Sequence, residues 1–166
     1  MMNKKVIGFV LLNNARNLEK YSDLIDNTVN DHAFKSYLYN KYSPFGEVET
    51  LANKIIDLIE QKKMYVNIMV TMKQTLMQLE EKERKYLVLA FSKQFRNETI
   101  AGLLNISLTS TGRLRDRAVK KFLDILGRNE FFLAFAKNNF LSIKWLTDEY
   151  ESTIAKNMLV KRGYFK

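Results

Sequence analysis

From Leu18 onward apolar side chains return at intervals of three and four residues: Leu18, Tyr21, Leu24, Ile25 and Val29, continued by Phe34, Tyr37 and Leu38. That interval matches the helical repeat and predicts an amphipathic helix. Pro44, the chain's single proline, and Gly46 then mark a loop over 43–46. Beyond it Val48, Leu51, Ile55, Leu58, Tyr65, Met69, Met72, Leu76 and Leu79 keep the same spacing, with Lys62 standing in the seam. One long helix or two in tandem is expected there, and the stripe over 48–79 serves either as core within one chain or as the seam of a homodimer. The short apolar run from Val6 to Leu12 fits a strand or a buried first helix over 5–12 equally well, because periodicity does not separate the two at that length.

Toward the other end, Phe131, Phe132, Phe135, Phe140, Ile143, Trp145 and Leu146 nearly encircle a helix over 129–146, which other parts of the protein must therefore cover. Asp148 is placed to cap a last helix carrying Tyr150, Ile154, Met158 and Leu159 and ending near Gly163. No segment after residue 12 alternates at period two. The expected fold is all-α: a helical N-terminal piece over 1–66, a central helical region over 67–128 and an aromatic helical extension over 129–166.

Charge sharpens this division. Residues 67–128 hold 12 basic and 6 acidic groups, net +6 of the chain's +9, whereas 1–66 is nearly neutral. Glu80, Glu81 and Glu83 lie early in this segment, while Arg113, Arg115, Arg117, Lys120, Lys121 and Arg128 crowd its end. A local cationic excess suits a polyanion such as nucleic acid, double-stranded DNA included, or an anionic membrane surface, and a free acidic polypeptide fits as well. With no cysteine and a single histidine, His32, sulfur-based and two-histidine metal sites are excluded, and no phosphate loop or nucleophile–base pair is visible. We expect no enzymatic activity, no metal and no cofactor. No apolar stretch approaches the roughly 18 residues of a membrane span, so a soluble, cytoplasmic protein without a membrane partner is expected.

Within 77–126 the residue types meet the demands of a helix-turn-helix, whose two helices cross closely. Acidic Glu80 and Glu81 open a first helix, as the helix dipole favours. A second runs from Asn97 to Leu104 with Ile100, Ala101, Leu103 and Leu104 inward, Ala101 being the small residue at the crossing. Asn105 stands where a left-handed backbone is wanted, Ile106 plugs the turn, and Ser107 caps the helix that follows. On that helix Thr111, Leu114, Ala118, Phe122 and Ile125 share the inward side, and Thr109, Arg113, Asp116 and Lys120 the opposite one. Leu108, Thr109, Gly112 and Arg113 are the candidates to meet base edges in a major groove, and Ser107, Ser110, Arg117, Lys120 and Lys121 the candidates to meet phosphates.

The stretch marked by Leu79, Arg84, Leu87 to Phe91, Ile100-Ala101, Leu104, Asn105-Ile106-Ser107 and Arg117-Ala118 resembles region 4 of the sigma-70 family of bacterial RNA polymerase specificity factors. The resemblance implies a three- to four-helix domain whose last helix reads a promoter element and whose other surface docks on core RNA polymerase, as a regulator or as a compact, divergent sigma subunit. Thr99 stands where the family usually has Glu, and Leu108, Thr109, Ser110 and Gly112 replace its polar contact residues, which implies a different preferred sequence. Phage late-gene activators of the autolysin-regulator type carry a similar sigma-like end after a long N-terminal helix. A full sigma factor also captures unwound DNA on aromatic side chains; Phe34, Tyr37, Tyr39, Tyr42 and Phe45 are the candidates, although ordinary packing explains them as well and His32 reads as structural. The alternative outside this class is a helical interaction module that retains the helix-turn-helix only as a scaffold.

Overall fold

The structure is a computed structural model that describes residues 2–42 and 45–155, with side chains described outside 39–47. Tyr39, Tyr42 and Phe45, as side chains, lie outside the described residues, as do the loop at Ser43-Pro44 and the positions Met158, Leu159 and Gly163. Every described element is helical: α1 (Lys4–Asn13), α2 (Ala15–Tyr42), α3 (Phe45–Met77), α4 (Glu81–Leu87) followed by a π-turn at Val88–Ser92, α5 (Asn97–Leu104), α6 (Leu108–Leu126), α7 (Glu130–Asn138), a 3₁₀ turn at Phe140–Ser142, and α8 (Lys144–Ala155). The chain is all-α, as its periodicity predicts. It forms two compact units, one of residues 1–16 with 70–166 and one of residues 17–69. This grouping departs from three consecutive segments, because α1 joins the helix-turn-helix and the aromatic helices.

The short apolar run is a helix, and its burial explains why. Val6 through Leu12 are all buried in the larger unit, where α1 packs against α6, α7 and α8. A lone strand in that position has no neighbour for its backbone groups, whereas a helix satisfies its own. Asn3 caps α1 by accepting from Lys5 N–H at 3.0 Å, and its own N–H donates to Tyr150 Oη at 3.0 Å, which fastens the start of the chain to α8. Gly8 sets the closeness of the packing: a Cβ there meets Leu123 Cδ2 at 2.9 Å and Leu126 Cδ2 at 3.2 Å, both on α6.

The apolar sequence over 129–146 is not one helix. Asn129 caps α7 by accepting from Phe132 N–H at 3.1 Å, α7 ends at Asn138, and the 3₁₀ turn reverses the chain into α8. The turn tucks Phe140 edge-on between Phe135 and Tyr150, at ring-centroid separations of 6.1 and 5.7 Å. Aromatic residues that would encircle one helix are thereby brought to a shared interior, although Phe131 stays exposed. Asp148 is not an N-cap: α8 begins at Lys144, and Asp148 is an exposed residue inside it.

In the smaller unit α2 and α3 run antiparallel, with Tyr21 stacked beside Tyr65 at 6.4 Å and Asp26 ion-paired with Lys62. Lys62 interrupts the apolar seam because its partner sits across the hairpin. Of the stripe in this unit, Leu51 and Tyr65 are buried within a single chain, and Val48, Ile55, Leu58 and Met69 are half-buried. The α2 stripe is buried only at its start, at Leu18 and Ile25; Phe34, Tyr37 and Leu38 are exposed, against the expectation that they continue the core face.

The closeness at Gly8 yields a test. Gly8→Leu overfills a site bounded by the buried Leu123 and Leu126 and is expected to lower unfolding free energy by about 1–3 kcal/mol, measured by denaturant titration.

Candidate nucleic-acid interface

The segment from Glu80 to Leu126 folds from local instructions. Asn105 adopts φ 52°, ψ 50°, the left-handed conformation that ends a helix at least cost for a non-glycine residue. This turn lets Ile106 N–H donate back to Ala101 C=O at 3.0 Å. Ser107 Oγ accepts from Ser110 N–H at 3.2 Å, and Thr111 Oγ1 donates to Ser107 C=O at 3.0 Å, so the start of α6 is capped and its first turn locked. Ile100 and Ala101 of α5 are buried, as are Thr111, Leu114, Ala118 and Phe122 of α6. Tyr86 Oη donates to Asn97 Oδ1 at 2.8 Å and ties α4 to the start of α5.

Three inward assignments need correction, Leu104 being half-buried. Leu103 is 59% exposed, because the short α5 buries only the side that carries Ile100 and Ala101, and Leu103 turns away from it. Ile125 is half-buried, while Val119, Leu123 and Leu126 are buried in its stead. The physical reason is α1, which packs on the far half of α6 and shifts the buried arc there toward these residues.

The outward face is open. Thr109, Ser110, Arg113, Asp116 and Lys120 are exposed, Leu108 is 53% exposed, and Gly112 is half-buried with nothing within 4 Å of an added Cβ. Leu108, Thr109, Gly112 and Arg113 thus share one side of the first turns of α6, while the phenylalanine-rich helices pack with α1 and leave that side uncovered. Asp116 lies 2.9 Å from Arg115 Nε, and no ion pair involves Arg113 or Lys120 among the described residues. Ser107 and Ser110 are exposed at the helix start, and their hydroxyls hydrogen-bond each other at 2.9 Å.

Arg117 and Lys121 take another part. Glu83, on α4, has a side chain 0% exposed and sits 2.8 Å from Arg117 Nε and 2.9 Å from Lys121 Nζ. Lys121 also reaches Glu80 Oε1 at 2.9 Å, and Glu80 N–H donates to Glu83 Oε2 at 3.3 Å. These two cations, both partly exposed, hold α4 against α6, which leaves Lys120 as the phosphate candidate without an ion pair among the described residues, beside Ser107 and Ser110, whose hydroxyls are bonded to each other. Glu83 is the functional residue missed in the sequence; its signal was the Glu80-x-x-Glu83 spacing, which places one carboxylate at the helix start and one at its third position.

Among the described residues no group of three or more His, Asp or Glu side chains is placed to hold a metal ion, and no helix is long and apolar enough to cross a membrane. Compared with protein-family models, with curated proteins and with solved structures, the chain finds no match.

The hydrogen bond from Lys121 holds the Glu80 carboxyl below its usual range, and the same bond, with that to Glu83, holds the Lys121 ammonium above its own. A depressed carboxyl stabilises the fold above its unfolded pKa and loses that contribution as pH falls through the folded value; a raised ammonium stabilises below its unfolded pKa and loses it as pH rises through the folded one. The α4–α6 clamp is therefore complete at neutral pH and weakens at the acid and the strongly alkaline ends. Glu80→Gln is expected to flatten the acid limb of thermal stability against pH. Glu83→Ala, which removes a buried group bonded to charged partners, is expected to cost about 1.5–3 kcal/mol at neutral pH by denaturant titration.

Proposed function

We propose that this protein is a sequence-specific DNA-binding transcription regulator, with α6 as the recognition helix in a major groove. The observation that carries this reading is the uncovered face of Leu108, Thr109, Gly112 and Arg113 at the start of α6, on a helix-turn-helix whose left-handed turn and serine cap are both formed. An α-helix fits a major groove, where an unpaired arginine can donate two hydrogen bonds to guanine. Lys120 lies farther along the same side, where it is the candidate to meet a phosphate. The local net charge of +6 over 67–128 supports the same partner, since released counterions drive association. Sigma-like spacing from Leu79 to Ala118 supports core RNA polymerase as a second partner; co-purification with core polymerase separates a polymerase subunit from a stand-alone regulator.

Competition binding between a selected duplex and bulk DNA tests the proposal. Arg113→Ala is expected to reduce discrimination by about 1–3 kcal/mol, and Lys120→Ala to weaken all duplexes alike while lowering the salt slope by about 1. An unchanged specificity ratio in Arg113→Ala counts against α6 as the reader.

A further inference from the structure

Gly112 lies well inside α6, where glycine lowers helix stability by roughly 0.5–1 kcal/mol relative to alanine. A helical glycine is usually explained by a neighbour that a Cβ would strike, and Gly8 is such a case. Gly112 is not: an added Cβ meets nothing within 4 Å. Nothing among the described residues explains the missing side chain, whereas a body that approaches α6 closely from outside would.

The surroundings of Gly112 indicate what that body is. One turn earlier on the same side stands Leu108, an aliphatic side chain 53% exposed at the start of the helix, with Thr109 and its methyl group beside it. Immediately after comes Arg113, exposed and with no ion pair among the described residues. With no side chain at Gly112 the helix backbone is bare between the aliphatic Leu108 and Arg113, a donor of two hydrogen bonds, and this gap in the row of side chains is the notch. It carries no amide side chain to read adenine and no unpaired carboxylate to read cytosine; the nearest carboxylate, Asp116, is held by Arg115. Of the four bases seen from the major groove, thymine alone projects a methyl group, and guanine alone offers two acceptors to arginine.

We propose that the Gly112 notch takes a thymine C5-methyl group against Leu108 and the α6 backbone, with Arg113 bonded to a neighbouring guanine, so that the preferred duplex contains a thymine–guanine step. This deepens the reading of α6 as a recognition helix and rests on it.

The experiment uses the full chain and duplexes enriched from a random pool, in which each thymine is then replaced singly by deoxyuridine, a change that removes only the methyl group. At one or two positions the replacement is expected to weaken binding about fourfold, the effect of withdrawing one buried methyl from apolar contact. Leu108→Ala is expected to erase that thymine-over-uracil preference. Gly112→Ala is expected to raise the melting temperature and yet weaken the enriched duplex, because the new Cβ occupies the notch. Equal binding of thymine and uracil duplexes by the native protein overturns the notch assignment, and so does full binding by Gly112→Ala; in either case the enriched duplex still binds, and the recognition-helix reading stands. Failure to retain any duplex at low salt overturns both.

Discussion

One buried carboxylate governs what the rest of the larger unit can do. Glu83 is sealed from solvent between α4 and α6: its Oε2 accepts from Lys121 Nζ and from Glu80 N–H, and its Oε1, which accepts no hydrogen bond, is balanced by the charges of Arg117 and Lys121 at 2.8 and 2.9 Å. A carboxylate without such partners would not be tolerated there, since an unpaired buried charge costs far more than a buried pair returns. The consequence is geometric: two cations one turn apart on α6 must face α4, and this fixes the rotation of α6 about its own axis. Thr111, Leu114, Ala118 and Phe122 then point inward, and Leu108, Thr109 and Arg113 point to solvent. The cations that look most like phosphate ligands in the sequence thus aim the helix.

The second constraint is α1. Apolar on every side, it is stable only when surrounded, and α6, α7 and α8 surround it. The far half of α6 is therefore part of an interior that includes both the beginning of the chain and its aromatic helices. Gly8 admits Leu123 and Leu126, and Lys5 reaches Asp124 at 3.1 Å, so this half is held from two directions, by α4 through charge and by α1 through packing. The aromatic extension consequently has a structural role that leaves the side of α6 carrying Leu108, Thr109 and Arg113 bare.

Features that depend on neighbours within a few residues were legible before the structure. Asn105 and Ser107 announce a left-handed turn and a cap by their own backbone and hydroxyl chemistry, and both are found there. The all-α class follows from periodicity in the same way. What was not legible depends on partners far along the chain. Lys62 looks like a fault in a seam until Asp26 is placed across the hairpin, and Arg117 looks like a phosphate ligand until Glu83 is placed beneath it. The run from Val6 to Leu12 carries no helical stripe because all of its sides are buried, and the same uniformity hid the break between α7 and α8. Leu103 shows the opposite error: an apolar residue beside a buried pair was read as core, although a helix as short as α5 has only a narrow side to hide.

These constraints make α6 an unevenly supported helix. Its first turns read Leu-Thr-Ser-Thr-Gly from Leu108 to Gly112, and the threonines, serine and glycine together are less favourable than alanine by roughly 2–3 kcal/mol of intrinsic helix propensity. The Ser107 cap and the buried Thr111 offset part of that cost, and the remainder falls on the far half, which α1 and Glu83 secure. A helix that served only to fill the core would gain from the reverse arrangement, with strong helix formers at the exposed start where packing gives least help. Weak formers stand instead where the side chains are small, methylated or absent and the backbone is nearest to the outside. That sequence is intelligible if the start of α6 is shaped by a surface it meets, and its far half by the protein that must hold it still.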